Sequence, residues 1–419
     1  MVKNKGESIL AGEVGRVRDP IRKGMGVALL TLLPFVMLRP ARAQVDPRTF
    51  NGANTITLIH ICSGSLAGLG PHITAICAGA KGNIQNLDVS GAGIITATPL
   101  STTQRQQSKE EEIAEAEARG SGGSADSQVY RLANNLNLFV ATGGDSVTHR
   151  TDGFEEGYHG ADGSVVVGLG AHPASWLTYG VGFNYRTLHG SFDDRLGGFH
   201  VTTYRPFLFA SFAPFDGAFI DTEIGYARMS NTRNRGPIAA LQPIGTILAR
   251  GIVTGTPGEN AYEGSILAGY DWRLGRLSLG PRIGLNAGHF AVDGYTEAGQ
   301  TGLELRYGSV DQNSLQSVIG AAANIVIATD FAIVLPGITA SWVHEFEAYQ
   351  RLIHAQFVEA PGVPFTFYSE KPASDFGVLG VHVTAVLSNR LRAFADFSRV
   401  VGNGRYESYG GTLGVAYAF

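Results

Sequence analysis

The chain has 419 residues, a formal net charge of −4 and only 16% charged side chains, a balance that argues against a nucleic-acid partner. Its 56 glycines lack both the strict period of collagen and the Ser/Gln bias of disorder. The mature sequence holds no apolar run long enough for a membrane-spanning helix, which excludes a helical membrane protein.

The amino-terminal residues 1–43 read as an export signal. Arg16, Arg18, Arg22 and Lys23 precede the apolar stretch 25–38, and Ala41-Arg42-Ala43 follows as a small-x-small cleavage site. Cleavage after Ala43 leaves Gln44 as the mature start and assigns the chain to the Sec export machinery. Pro34 interrupts the stretch, so a core helix describes it less well.

Residues 44–101 are small and rich in Gly, Ala and Thr. Asn54-Thr-Ile-Thr-Leu-Ile-His-Ile61 alternates weakly, and two or three short strands are expected there. Cys62 and Cys77 are the two cysteines of the chain and both fall in this exported stretch. They form a candidate disulfide in an oxidising compartment, the alternative being two buried thiols. Next, 102–119 is rich in helix formers and predicts the one convincing helix of the mature chain. Gly120-Ser-Gly-Gly-Ser-Ala125 breaks it as a hinge.

Residues 126–419 form the barrel region, and from about Leu132 to Phe419 the pattern changes to period-two alternation. Strands are expected near 134–149, 162–172, 175–190, 197–213, 218–232, 258–274, 276–290, 313–328, 331–346, 374–388, 391–402 and 406–419. The count is even, as a closed bacterial barrel requires. The connections at 172–175, 214–217, 274–276, 329–330 and 388–390 are tight turns, whereas 150–161, 233–257, 291–312 and 347–373 are long. Short turns on one rim and long loops on the other match periplasmic turns and extracellular loops.

The strand faces agree. Leu277, Leu279, Pro281, Ile283, Leu285 and Ala287 line one face; Ser278, Gly280, Arg282, Gly284 and Asn286 line the other. Leu177, Tyr179, Val181, Phe183 and Tyr185 likewise oppose Trp176, Thr178, Gly180, Gly182, Asn184 and Arg186. An inward arginine is expensive in a dry sandwich core and costs little in a wet lumen. The chain ends on Leu413, Val415, Tyr417 and Phe419, all on one face, opposite Thr412, Gly414, Ala416 and Ala418. The fold class is thus an all-β transmembrane barrel of about twelve antiparallel strands in outer-membrane lipid.

Several segments together resemble the translocator domain of autotransporters, the type V secretion family. They are Asn137-Leu-Phe-Val140, Gly269-Tyr-Asp-Trp272, Leu277-Ser-Leu-Gly-Pro-Arg282, Asp293-Gly-Tyr-Thr-Glu-Ala-Gly299, Trp342-Val-His-Glu-Phe346 and Tyr417-Ala-Phe419. The resemblance implies a monomeric barrel that carries an amino-terminal passenger to the cell surface with a helix lying in the pore. Segment 102–119 stands where that helix must be, and Glu110, Glu111 and Glu112 could then face lumen residues Arg186, Arg282 or Arg392. A solvated linker is the alternative. The resemblance also implies that the barrel-assembly machinery reads the strand ending in Phe419. The passenger-like segment 44–101 is too short for the β-solenoid stalk usual in this family.

Other motifs point to no chemistry. His344-Glu345 lacks the second histidine of a metalloprotease helix, Gly143-Gly144 lacks a phosphate-loop context, and no nucleophile elbow is present. Asn134-Asn135 lies at a strand start rather than on a pore helix, so cleavage between asparagines is not expected. No catalytic, cofactor or metal site is expected. Two competing functions stay open, a surface adhesin acting through loops 233–257, 291–312 and 347–373, and a diffusion pore. Tyr349, Phe357, Phe365, Phe367 and Tyr368 make the last of these loops unusually aromatic.

Overall fold

Alternating small or polar and large apolar side chains roll the carboxy-terminal part of the chain into a closed cylinder. The computed structural model describes residues 46–90, 136–242, 246–387 and 391–419. In chain order the barrel strands are β1 Leu136–His149, β2 Tyr158–Ala174, β3 Leu177–Phe192, β4 Gly197–Phe212, β5 Ala218–Gln242 and β6 Gly258–Tyr270. They continue as β7 Leu277–Val292, β8 Val310–Ile325, β9 Ile333–Glu345, β10 Asp375–Val386, β11 Leu391–Val401 and β12 Tyr406–Ala418. Each is antiparallel to its sequence neighbour. β12 returns to β1, in register from Asn137 with Ala418 to His149 with Tyr406, so the twelve-stranded sheet has no open edge.

The outward rows are the expected ones. Leu413, Val415, Tyr417 and Phe419 are all exposed, as are Tyr179, Val181, Phe183, Tyr185, Ile283 and Leu285. Exposed apolar side chains on every wall are unstable in water and stable in lipid. Trp176, assigned by alternation to the inward row, instead sits exposed in the turn before β3, with its ring edge-on to Phe212 at 5.5 Å.

The inward face explains much of the glycine content. Phe139 lies opposite Gly168; Phe207, Phe209 and Phe199 lie opposite Gly182, Gly180 and Gly190. Phe219 pairs with Gly269 and Phe394 with Gly414. A Cβ on any of these six glycines would stand 2.0 to 2.3 Å from the tip of the facing ring. The glycines are therefore sockets for aromatic rings that fold back against the wall.

Among the described connections, those joining β2–β3, β4–β5, β6–β7 and β8–β9 are short turns on the rim that also holds both barrel termini. The turn expected at 388–390 lies outside the described residues. The opposite rim is elaborated. β5 has 25 residues, roughly 80 Å of strand at 3.3 Å per residue, far more than a bilayer needs. Its first half pairs with β6, and Arg233 to Gln242 pair with a strand at Thr246–Gly255. The region 233–257, expected as a loop, is therefore a hairpin standing above the barrel. Of the other three long connections, those after β7 and β9 form a second sheet of four short strands, Tyr295–Thr296, Leu305–Tyr307, Leu352–Phe357 and Pro364–Tyr368.

Residues 46–90 differ most from expectation. Instead of two or three strands they form helices α1 Phe50–Ser63 and α2 Pro71–Gly79, then one short strand, Asp88–Ser90, on the β5 extension. The alternation of Thr55, Thr57, Ile59 and Ile61 suggested a strand, but burial does not follow it. Phe50, Ala53, Asn54, Leu58, Ile61 and Cys62 are all buried, at the three- and four-residue spacing of a helix face. β propensity of Thr and Ile yields here to tertiary packing. Among the described residues α1 and α2 are the α-helices; the helix expected at 102–119 lies outside them.

Candidate functional site

The lumen wall is charged in pairs. Arg205 on β4 sits between two carboxylates, its Nη2 2.5 Å from Glu223 Oε1 and its Nε 2.7 Å from Glu263 Oε2. Arg186 pairs with Asp162 at 2.5 Å, Arg282 with Asp271 at 2.6 Å and Arg233 with Glu259 at 2.6 Å. All are buried, where a charge without a partner is very costly. Arg186, Arg282 and Arg392 are buried, and Arg392 is 2% exposed. Arg186 and Arg282 take carboxylates of the barrel itself, one strand away. Their other suggested partners, Glu110, Glu111 and Glu112, lie outside the described residues.

At the long-loop rim the wall gives way to a cluster that ties loops together. Glu370 accepts from His149 at the end of β1 and from Arg405 Nη1 at 2.7 Å, and Arg405 also reaches Asp152 at 2.5 Å. Burial raises the Glu370 carboxyl's pKa, but the His149 and Arg405 contacts outweigh it and hold it below the usual value. Three connections, 150–157, 346–374 and 402–405, meet in this cluster through Asp152, Glu370 and Arg405.

Above it, helices and loops share one hydrophobic core. Phe50, Leu58, Ile61, Ile73 and Ile76 of the amino-terminal segment pack with Ile238, Leu305, Ile353, Phe357, Phe365 and Phe367. The Phe50 and Phe367 rings meet edge-on at 5.0 Å. Thr49 caps α1 by accepting from the Gly52 amide at 3.1 Å. Pro71 opens α2, where a missing N–H costs nothing. The first turn of α2 is capped from the loops: the Ile73 amide donates to Glu359 Oε2 at 2.8 Å, and His72 Nδ1 lies 2.7 Å from Glu359 Oε1. Burial works against the Glu359 charge, yet these two hydrogen bonds and the helix terminus hold its pKa below the ordinary value. Backbone bonds complete the junction, Tyr368 N–H to Arg48 O at 2.9 Å and Gly70 N–H to Glu359 O at 2.8 Å. Cys62 and Cys77 are joined by a disulfide that links the end of α1 to α2.

The aromatic loop residues therefore have two fates. Phe357, Phe365 and Phe367 point into this core, whereas Tyr349 and Tyr368 are exposed. Alternation within 352–368 was the available signal, because Ile353, Ala355, Phe357, Phe365 and Phe367 fall on one face of a hairpin. The pairing of Arg235 with Glu297 joins the β5 extension to the loop after β7; Glu297 lies in the segment 293–299 singled out in the sequence, but nothing there pointed to Arg235 as its partner. The cleavage residues Ala41, Ala43 and Gln44 and the pair Asn134-Asn135 lie outside the described residues. Among the described residues no group of three or more His, Cys, Asp or Glu side chains is placed to hold a metal.

Residues 138–398 match the family described as the autotransporter beta-domain. The fold is similar to the translocator domain of the autotransporter NalP from Neisseria meningitidis, with a TM-score of 0.58, 16% identity, and coverage of 77% of this chain and 98% of that one. The beta domain of the Bordetella autotransporter BrkA aligns with a TM-score of 0.49 and 16% identity over 68% of this chain and all (100%) of that one. No curated protein matches the sequence.

Proposed function

The chain belongs to the autotransporter β-domain family, barrels of the bacterial outer membrane that serve passenger secretion, and from that premise we propose that this barrel exports its own residues 46–90 and holds them folded at the cell surface. The observation that carries the reading is one of sidedness. Ser90 pairs with Ala239 high on the β5 extension, beyond the long-loop rim. Leu136 pairs with Ala171 beside the short-turn rim. The chain between them has to pass from one side of the bilayer to the other, and the lumen is the route that avoids lipid. A barrel of this size has room for a helix about 10 Å across, and 102–119 is the segment assigned to that position. Autotransporter barrels are transport and structural modules, so the lumen charge pairs act as a polar lining rather than as catalytic groups.

Entry to the periplasm is assigned to the Sec machinery on the strength of the signal ending at Ala43. Insertion is assigned to the barrel-assembly machinery acting on Leu413, Val415, Tyr417 and Phe419. An epitope placed in the exposed turn at Gly68, where a side chain would meet no atom within 4 Å, tests export. Antibody should label intact cells. Labelling only after the outer membrane is permeabilised would overturn the proposal.

A further inference from the structure

We propose that the long loops of the barrel are the folding template for the amino-terminal segment, so that residues 46–90 acquire their structure only on this barrel and stay docked there. The inference rests on the export reading above and adds to it a role for the loops.

Three observations carry it. First, the segment cannot bury its own apolar surface. α1 buries Phe50, Ala53, Thr57, Leu58 and Ile61 on one broad face, more than one neighbouring short helix can cover. At 45 residues the segment lies close to the lower limit of about 40 residues, where a chain can rarely complete a core from its own side chains. Second, the missing half of the core comes from the loops. Ile238, Leu305, Ile353, Phe357 and Phe367 are each no more than 2% exposed, against Phe50, Leu58 and Ile73 of the segment. Third, the loops supply polar groups that a free segment would lack. Glu359 caps α2, Arg48 O receives the Tyr368 amide, and the Asp88–Ser90 strand exists only as a partner of Ala239 to Leu241. The loop sheet is separable from the barrel, because it pairs within itself, whereas the β5 extension continues a wall strand. The loops thus act as an intramolecular chaperone, and their partner is a named segment of the same chain.

The test uses the full chain in cells, tagged at Gly68, with Phe357→Ala and Phe367→Ala combined in the loops and, separately, Ile353→Ala. Three quantities are read: tag labelling on intact cells, the protease concentration that removes the tag, and the amount of heat-modifiable barrel. The proposal expects unchanged labelling, unchanged barrel, and digestion at roughly tenfold lower protease or less, since cleavage follows the population of the open form. Equal protease resistance with normal labelling would overturn the template while leaving export intact. Loss of labelling on intact cells would overturn export instead. Loss of the barrel in both variants would overturn the template as well, because the loops would then be part of the cylinder's own stability.

Discussion

Arg235 and Glu297 meet through two parallel hydrogen bonds, Nε to Oε1 at 2.8 Å and Nη2 to Oε2 at 2.6 Å, in the buried floor of the surface module. The same guanidinium donates to Leu303 O at 3.2 Å and lies 5.2 Å from the centre of the Phe50 ring. One side chain thus joins the β5 extension, the loop after β7 and α1. Removing either partner strands a buried charge, at a cost of about 3–5 kcal/mol. Glu297→Ala and Arg235→Ala should each open the module to protease on intact cells while leaving the heat-modifiable barrel in place. The double variant Arg235→Leu/Glu297→Leu should be less damaged than either, since no charge is left unpaired. If the two single effects simply add in the double variant, the pair is not coupled.

The phenylalanine sockets predict a second kind of variant. A Cβ on Gly182 would stand 2.2 Å from Phe207 Cζ, so Gly182→Ala forces the ring off its seat at a cost of about 1–3 kcal/mol. The temperature at which the purified barrel loses its heat-modifiable form should fall. Adding Phe207→Ala should recover part of the loss, because the clash is gone. No recovery would mean that the glycine serves the backbone rather than the ring.

How far the sequence reveals this architecture depends on what each residue faces. The barrel strands were legible because every one is half in lipid and half in the lumen, so Leu277 to Ala287 alternates without exception. The rim assignment was legible from loop length. The surface module was not, because the buried face of α1 carries the polar Asn54, Thr55 and Thr57 while Ile56 is exposed, so hydrophobicity does not follow the face that packs. Thr55, Thr57, Ile59 and Ile61 then imitated a strand. Nor could spacing show that Phe50 meets Phe367, more than three hundred residues away; only the cylinder brings those positions to one rim.

Acid should loosen the module at one identifiable contact. The Glu359 carboxyl has its folded pKa held below the ordinary 4.5, chiefly against burial, by hydrogen bonds from Ile73 N–H and His72. A depressed pKa contributes stability above the unfolded value, and that contribution disappears as pH falls through the folded value. The α2 cap is therefore intact at neutral pH and weakens below 4.5. Hydrogen exchange at Ile73 and Thr74, compared between neutral pH and pH 4, should show the opening in the native chain. Glu359→Gln should remove most of that pH difference, and an equal response in the variant would place the acid-sensitive group elsewhere.

Phe419 separates assembly from stability. Its amide donates to Leu136 O at 3.0 Å across the closing seam, a bond that any residue can make. Its ring is half exposed on the lipid side and touches Tyr417 edge-on at 5.5 Å. Phe419→Ala therefore removes little from the folded barrel, within about 0.5 kcal/mol as for other surface changes. The proposed role of the ring is instead recognition of an unpaired, apolar terminal strand before closure, when its edge is open to pairing. The variant should reach the outer membrane in much smaller amounts, yet the fraction that arrives should melt with the native barrel in detergent. Normal amounts in the membrane would show that the assembly machinery does not read Phe419. A lowered melting temperature with normal amounts would make the ring a structural clamp on the seam between β1 and β12.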